Sequence, residues 1–303
     1  MVRIGVDTPH KEEAHCCLRE AFPRGHDLYE ICDPWESSVI PISDSPGEQN
    51  RSESRRIQPS QTEVGPSTTI SCREKSFLFG AALAYCKLGL TVAHPTNPGE
   101  DIMLDSSQAF SAADRIIGKC LETYYNLQQR NGEKLTADLA LLEINSRKCS
   151  VDNTVRWPIA CGRTLQIKLY KGLKVPDDTR VMILDQNGKF QYGSIRRDHL
   201  TDMRLRSKDL HNVLAIGAKR GNQDISITQH GDSGAIVMSH PRPENDIVYV
   251  YGIVNSLYVE PTNSRSLTVA NSLWDVVDEL CTNRSYLSAL CNNNNASVNI
   301  DFM

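Results

Sequence analysis

Residues 231–237 read GDSGAIV, which places Ser233 between two glycines and directly before a short apolar run. Glycine adopts backbone conformations that other residues avoid, so the two flanking positions predict a tight turn. The apolar residues that follow have the composition of a buried strand. Backbone N–H groups in such a turn can bind a developing oxyanion, and a serine there can attack a carbonyl carbon. Ser233 is therefore a candidate nucleophile.

A histidine and an aspartate stand beside apolar runs earlier in the chain. Residues 90–94 read LTVAH, and residues 137–142 read ADLALL. A serine nucleophile needs a base within hydrogen-bond reach and an acid that holds the base in the right tautomer. His94 is the candidate base and Asp138 the candidate acid. The nearby alternatives for the acid are Asp101, Asp105 and Asp152.

From about residue 70 onward the chain consists mainly of short apolar runs separated by turn residues. Many short strands with few helices favour an all-β barrel or sandwich. Asn187-Gly188 lies between two such runs and predicts a hairpin, because a tight reversal needs a residue with positive φ. The segments with strand length and composition are 77–86, 89–94, 137–144, 165–172, 180–195, 212–218, 235–239 and 246–254.

Three segments have a helical pattern. Residues 10–22 follow the capping pair Thr8-Pro9, and residues 111–128 and 272–281 repeat apolar positions at helical spacing. The last segment forms an amphipathic closing helix. Its apolar face consists of Leu273, Val276, Val277 and Leu280.

The chain of 303 residues gives a prior of about two folded units, at roughly 150 residues each. Composition divides the chain further, because residues 43–69 are rich in Ser, Gln, Pro and charged side chains. We expect an N-terminal extension with a short helix (1–42), a flexible linker (43–69), a first β-barrel with the base and acid (70–155), a second β-barrel with the serine and the C-terminal helix (156–285), and a disordered tail (286–303).

Charge and cysteine usage exclude several classes of protein. The 33 basic and 37 acidic residues give a net charge of −4, which makes nucleic acid a poor partner. The most apolar stretch, residues 77–93, contains Lys87 and two glycines and falls short of a membrane span. The ten cysteines include no CxxC pair, and the N-terminus has no apolar signal region. We expect an intracellular protein of a reducing compartment.

The N-terminal extension contains several side chains of the types that bind metal ions. The side chains of suitable type are His10, His15, Cys16, Cys17, His26 and Cys32. Their spacing matches no zinc motif, so no metal is predicted.

The segments TVAH, DLALL and GDSG, in the order His, Asp, Ser, resemble the trypsin-like (chymotrypsin-fold) serine proteases. The resemblance covers about residues 70–285 and implies two antiparallel β-barrels with a C-terminal helix. It implies that Ser233 is the nucleophile, that His94 is the base and later the acid, and that Asp138 orients the imidazole. It assigns the oxyanion hole to the N–H groups of Gly231 and Ser233. It implies a protein or peptide substrate and no cofactor.

The chain departs from that family where secreted members carry disulfide cysteines. Pro95 follows the histidine, and Gln229 and His230 precede the nucleophile motif, so the resemblance is to an intracellular member without the usual disulfides. No activation sequence of the R-IVGG kind precedes the histidine, which leaves open the partner of Asp232. In the family that carboxylate often pairs with a newly cleaved N-terminal amine.

The residue six positions before the nucleophile lies at the base of the specificity pocket in the resembling family, and here it is Ile227. A carboxylate at that position selects Lys or Arg, so Ile227 predicts a neutral or apolar P1 side chain. The other candidate substrate contacts are His230, Asn255 and Leu257, and Leu257 or Tyr258 narrows the pocket.

Two functions fit the sequence. The first is a serine endopeptidase that works through an acyl-enzyme. The alternative is a catalytically latent, protease-like module for peptide binding or signalling, because a fold does not guarantee activity. An inverted Gly231 peptide or a collapsed pocket at Ile227 favours the alternative.

Overall fold

The computed structural model describes residues 2–5, 29–32, 62–83, 88–105, 115–128, 132, 134–157, 163–171, 175–176, 178–196, 202–205, 208–220, 223–242, 245–259 and 266–282. The chain divides into two compact units, Met1–Gln58 and Pro59–Met303. In the first unit, the described residues form two parallel strands, β1 (Val2–Gly5) and β2 (Tyr29–Cys32). The helix predicted at 10–22 and the tail predicted at 286–303 lie outside the described residues.

The described part of the second unit is built from strands and ends in one helix. The strands are β3 (Thr62–Val64), β4 (Thr69–Cys72), β5 (Lys75–Leu78), β6 (Ala81–Leu83), β7 (Leu88–Thr91), β8 (Asp101–Leu104), β9 (Ile116–Gln128), β10 (Lys134–Ile144), β11 (Cys149–Val151), β12 (Thr154–Arg156), β13 (Thr164–Leu169), β14 (Arg180–Leu184), β15 (Phe190–Ile195), β16 (Asp202–Leu205), β17 (Lys208–His211), β18 (Val213–Arg220), β19 (Gln223–Ile225), β20 (Ile236–Ser239), β21 (Ile247–Val259) and β22 (Ser266–Ser272). The helix is α1 (Leu273–Thr282).

Two large sheets contain most of these strands, and β3 with β11 and β16 with β17 form two separate two-stranded sheets. The first has seven antiparallel strands in the order β5-β4-β8-β9-β10-β7-β6, and its two outer strands do not pair with each other among the described residues. In the second, β21, β20, β14, β15, β18 and β22 pair in sequence, and β22 pairs back to β21. Six of the nine strands of the second sheet therefore close into a barrel, and the first sheet is an open half-barrel. The predicted all-β fold with two barrels and a C-terminal helix is confirmed.

The interiors of both sheets are filled by aliphatic and aromatic side chains. Phe77, Phe79, Leu90, Leu139 and Leu141 are buried in the first sheet. The second barrel buries a separate cluster that includes Val181, Ile183, Ile195, Ile216 and Val237. Alternation of buried and exposed residues along β13 shows the period-2 pattern from which the strands were predicted.

The helix predicted over residues 111–128 is wrong. Residues 116–128 form β9, the 13-residue central strand of the first sheet, which pairs with β8 on one side and β10 on the other. Apolar residues at helical spacing misled the prediction, because they are interleaved with β-branched and aromatic residues that suit a paired strand. Gly118 fits the strand, since a Cβ there would lie 2.0 Å from the carbonyl oxygen of Glu143 on β10.

The predicted hairpin and the closing helix are both confirmed. Strands β14 and β15 pair antiparallel from Arg180 to Leu184, and Gly188 in their turn has a φ of +70°. Ser272, the residue before α1, donates its hydroxyl to the carboxylate of Asp275 in the first turn of the helix. The predicted apolar face of α1 is buried, and the helix packs on β10, β21 and β22.

The last part of the predicted linker belongs to the folded unit. Thr62–Val64 forms β3, which pairs in parallel with β11, and Val64 is fully buried. A single buried aliphatic residue in a polar stretch was too weak a signal to predict this strand.

Within the described residues, no helix is long and apolar enough to cross a membrane.

Candidate active site

Asp138 lies in a β-bulge of β10. In the pairing with β9, Ala137 and Asp138 together face the single residue Tyr125. The backbone of Asp138 has a φ of +36°, in the left-handed region that non-glycine residues seldom adopt. A bulge re-aims a side chain relative to a regular strand. Here it turns the carboxylate toward the segment that follows β7.

His94 and Asp138 form a hydrogen-bonded pair. His94 Nδ1 lies 3.0 Å from Asp138 Oδ2, while Oδ1 accepts the backbone N–H groups of His94 at 2.9 Å and Ala93 at 3.0 Å. The side chain of the acid is 16% exposed and that of the histidine 43% exposed. The acid thus fixes one ring nitrogen of an imidazole that reaches solvent. The other nitrogen, Nε2, bonds no described residue.

Ser233 is attached to the first sheet through the backbone of Leu78. The N–H of Leu78 donates to the carbonyl oxygen of Ser233 at 2.8 Å, and the carbonyl oxygen of Leu78 accepts the hydroxyl of Thr91 at 2.7 Å. Thr91 ends β7, three positions before His94. Gly234 has a φ of +94°, and a Cβ there would lie 2.1 Å from the Leu78 oxygen. Glycine therefore lets the nucleophile turn pack closely on the strand that leads to the histidine.

The hydroxyl of Ser233 and the imidazole of His94 form no hydrogen bond with each other in this structure, which describes both residues. The structure joins the acid to the base and anchors the serine to the same sheet. In ligand-free active sites, hydrogen bonds of this kind are often long and shorten when substrate binds.

The turn around Ser233 offers two unused backbone donors. The N–H groups of Gly231 and Ser233 donate to no acceptor among the described residues. Gly231 has a φ of +100°, which favours glycine at this position. Unpaired backbone N–H groups in the turn that carries a serine hydroxyl are the type of donor that an oxyanion site requires.

Gln186, in the turn between β14 and β15, supports the Gly231 loop. Its Nε2 donates to the carbonyl oxygen of His230 at 3.1 Å, and its side chain lies so close to Gly231 that a Cβ there would be 2.3 Å from Oε1. Its backbone N–H donates to Asp232 Oδ1 at 3.0 Å. The sequence predicted the turn but not this role, because nothing local connects Gln186 with residue 231.

The carboxylate of Asp232, whose partner the sequence left open, is buried and held by backbone donors. Oδ2 accepts the N–H of Gln229 at 2.8 Å, in addition to the bond from Gln186. No cationic group among the described residues pairs with it. Burial raises the pKa of Asp232 above its ordinary value, and the negative charge of Asp185 adds to the rise, although the two backbone hydrogen bonds oppose it.

The four other predicted site residues occupy different environments. Ile227 is 9% exposed and belongs to the apolar cluster of the second barrel, whereas His230 is exposed beside the oxyanion loop. Asn255 is buried and donates its amide to Asn271 at 2.6 Å. Leu257 is 44% exposed on β21. Asn255 and Leu257 both lie on β21.

The alternative acids have other partners. Asp101 lies 3.8 Å from the ammonium of Lys119, Asp105 accepts the hydroxyl of Ser76, and Asp152 accepts the hydroxyl of Thr154. Of these four aspartates, Asp138 is the one bonded to His94.

No cluster of metal-ligating side chains is found in the part of the chain that the structure describes. The histidines and cysteines considered for a metal site in the N-terminal extension lie outside it, apart from Cys32, for which only the strand is described.

No protein-family model and no curated protein matches the chain. Similar solved structures include protease A of Thermobifida fusca, a Nocardiopsis protease (NAPase) and a glutamic acid-specific serine protease. Their identities are 11%, 11% and 10%, and the TM-scores are 0.47, 0.46 and 0.48. The alignments cover 72%, 72% and 71% of this chain and 95%, 96% and 96% of theirs. At these identities a structural similarity gives no information about function, so the function has to be argued from the geometry of the site.

Replacing Gly234 with alanine tests the packing of the nucleophile turn on Leu78. Gly234→Ala is expected to lower the free energy of unfolding by roughly 3 kcal/mol or more, because a backbone clash adds to the cost of positive φ. Gly188 is the matched control, since it has a φ of +70° with no atom within 4 Å of an added Cβ. Gly188→Ala is expected to cost about 1–2 kcal/mol in urea denaturation. Equal losses in the two variants would contradict the close packing.

The pH dependence of stability tests the environment of Asp232. A raised pKa means that the folded protein holds the proton of Asp232 more tightly than the unfolded chain does. The contribution of this proton to the free energy of unfolding is therefore full at pH values below the ordinary pKa of 3.8, and it is lost as pH rises through the raised pKa. The difference in unfolding free energy between wild type and Asp232→Asn is therefore expected to fall from acid to neutral pH. A difference that rises with pH would indicate a cationic partner instead.

Proposed function

We propose that the protein is a serine endopeptidase that hydrolyses peptide bonds through an acyl-enzyme intermediate. The observation that carries the proposal is the His94–Asp138 pair, together with a glycine-flanked serine whose turn is bonded to the same sheet. A structural turn serine needs neither an imidazole fixed by a partly buried acid nor two unused N–H donors. The residues thus provide a nucleophile, a base, an acid and an oxyanion site.

The proposed reaction proceeds in two halves. Ser233 Oγ attacks the carbonyl carbon of the peptide, and His94 Nε2 takes the hydroxyl proton and delivers it to the leaving amine. Water then attacks the ester, His94 takes a proton from the water, and the Ser233 oxygen recovers that proton as the acid product leaves. Asp138 stabilises the charged imidazole in both halves, and the N–H groups of Gly231 and Ser233 stabilise the oxyanion.

We propose a neutral P1 side chain. The segment that leads to the nucleophile contains Ser226 and Thr228, whose hydroxyl oxygens each lie 2.8 Å from the hydroxyl of the fully buried Thr268. Ile227 between them packs into the barrel. Hydroxyl groups and aliphatic groups offer no charge to a Lys or Arg side chain, so the segment favours uncharged residues.

The proposed site of action is a reducing intracellular compartment. Cys72, Cys120 and Cys149 are buried thiols that form no disulfide. Burial and the Glu100 carboxylate raise the pKa of Cys72 to about 12, so this thiol stays protonated and unreactive.

A second candidate is the latent peptide-binding or signalling module. Two observations favour it: the hydroxyl of Ser233 makes no bond to His94, and Ile227 is packed into the barrel rather than left open. In this case peptides bind without being cleaved.

Labelling with a fluorophosphonate probe separates the two candidates. The endopeptidase is expected to label covalently, and Ser233→Ala is expected to abolish labelling, since the hydroxyl oxygen forms the bond. His94→Ala is expected to slow it at least about a thousandfold. Ser239→Ala, in β20 of the same barrel, is the control and should label normally. Folded wild-type protein that does not label supports the latent module.

A library of peptides that differ at P1 tests the predicted specificity. Cleavage is expected after uncharged residues, with kcat/KM for Lys and Arg lower by at least about tenfold, because a buried cation without a partner is costly. A clear preference for Arg or Lys would contradict the neutral P1 site.

A further inference from the structure

Two β-bulges face each other across the junction of the two sheets. In β10, Ala137 and Asp138 form the bulge that carries the acid. In β21, Asn255 is the extra residue between Val254 and Ser256 in the pairing with β22. A bulge leaves backbone groups without their ladder partners, and those groups need partners from elsewhere.

Asn271 on β22 connects the two bulges. It is 1% exposed, and its Nδ2 donates to the carbonyl oxygens of Ala137 and, at 3.2 Å, Asp138. Its Oδ1 accepts the amide of Asn255 at 2.6 Å. Both ends of the Asn271 amide are thus engaged, one with each bulge.

The network continues to a partly exposed residue of β21. Ser256 donates its hydroxyl to Asn255 Oδ1 at 2.7 Å. Asn255 therefore cannot rotate without losing a bond on one side, and Asn271 is held in the orientation that serves the Asp138 bulge. A buried polar network of this kind specifies one geometry when its members are satisfied.

The position of the acid depends on the backbone that Asn271 holds. Asp138 has a φ of +36°, a strained conformation that persists only where surrounding contacts impose it. If the peptide at 137–138 relaxed, the carboxylate would turn away from His94 Nδ1 and from the N–H groups of His94 and Ala93. The contacts of Asn271 lie on the two peptide groups that flank the Cα of Asp138, and not on the carboxylate itself.

We propose that Asn271 is a positioning residue, which holds the strained Asp138 peptide from the opposite sheet and so keeps the acid aligned with the imidazole. The inference rests on the proposed function for its effect on rate, but the alignment itself is a property of the fold. Asn255 has a supporting role through the orientation of Asn271.

The test compares Asn271→Leu with Asn153→Leu. Leucine keeps the branched shape and the number of side-chain heavy atoms of asparagine but neither donates nor accepts a hydrogen bond. Asn153 is a matched control, because it is 2% exposed and its amide bridges the backbone N–H and carbonyl oxygen of Ala82 at 2.9 and 2.6 Å. Both variants lose a buried amide bridge, so both are expected to lose stability to a similar extent. Only the first touches the acid.

Two measurements report whether the Asp138 carboxylate remains aligned with the His94 imidazole. Asn271→Leu is expected to lower kcat by about tenfold to a hundredfold with little change in KM, which is typical of a small misplacement of catalytic groups. The NMR signal of the His94 Nδ1 proton, protected by Asp138 in the wild type, is expected to exchange with solvent and broaden. Asn271→Thr keeps one hydrogen-bond donor and should recover part of the kcat and part of the Nδ1 proton signal. Asn255→Ala should lower kcat less than Asn271→Leu does.

The outcomes are decisive in each case. If Asn271→Leu matches Asn153→Leu in kcat and retains the Nδ1 proton signal, the positioning role is wrong. If Asn271→Leu does not fold, normal signals and rates in both Asn271→Thr and Asn255→Ala would equally overturn it. If the wild type is inactive but its Nδ1 signal is lost in Asn271→Leu, the positioning role stands and the endopeptidase proposal fails.

Discussion

The geometry of the site depends on the backbone of one residue, Leu78. Its N–H binds the carbonyl of Ser233 and its carbonyl binds the hydroxyl of Thr91, so one peptide segment fixes both the nucleophile turn and the strand that leads to His94. The two sheets can approach this closely because residue 234 is glycine. These contacts join the Ser233 turn to the sheet that carries His94 and Asp138, and the hydrogen bonds from Asn271 to the Asp138 bulge join the two sheets a second time.

Electrostatic support is distributed so that each carboxylate at the site has a different task. Asp138 uses both oxygens on the histidine segment, where it orients an imidazole and can stabilise its positive charge. Asp232 uses both oxygens on backbone N–H groups and thereby shapes the loop that carries Gly231. The groups that hold the Asp232 carboxylate are thus backbone N–H groups of Gln186 and Gln229.

The sequence correctly predicted the elements whose conformation is decided by residues close together in the chain. Asn187-Gly188 predicted the hairpin because a tight reversal needs positive φ, and the apolar stripe of residues 273–280 predicted α1 because that face is buried. The segment 116–128 was predicted wrongly, since its state is decided by the strands on both sides of it. The motifs also pointed to His94 and Asp138, which lie together.

The remaining features of the site depend on contacts between distant parts of the chain. The bulge at Asp138 depends on pairing with β9, and the roles of Asn271 and Gln186 depend on residues more than forty positions away. A single asparagine within the apolar run of β22 was the one available signal for Asn271. Its partner could not be inferred, because the sequence alone does not give the register of the two sheets.

The structure of the protein after reaction with a peptidyl phosphonate tests the central claim most directly. The account predicts a bond from phosphorus to Ser233 Oγ, a phosphoryl oxygen within hydrogen-bond distance of the N–H groups of Gly231 and Ser233, and His94 Nε2 close to Oγ with the Asp138 bond intact. An unmodified Ser233, or a phosphoryl oxygen that points away from both N–H groups, would contradict it.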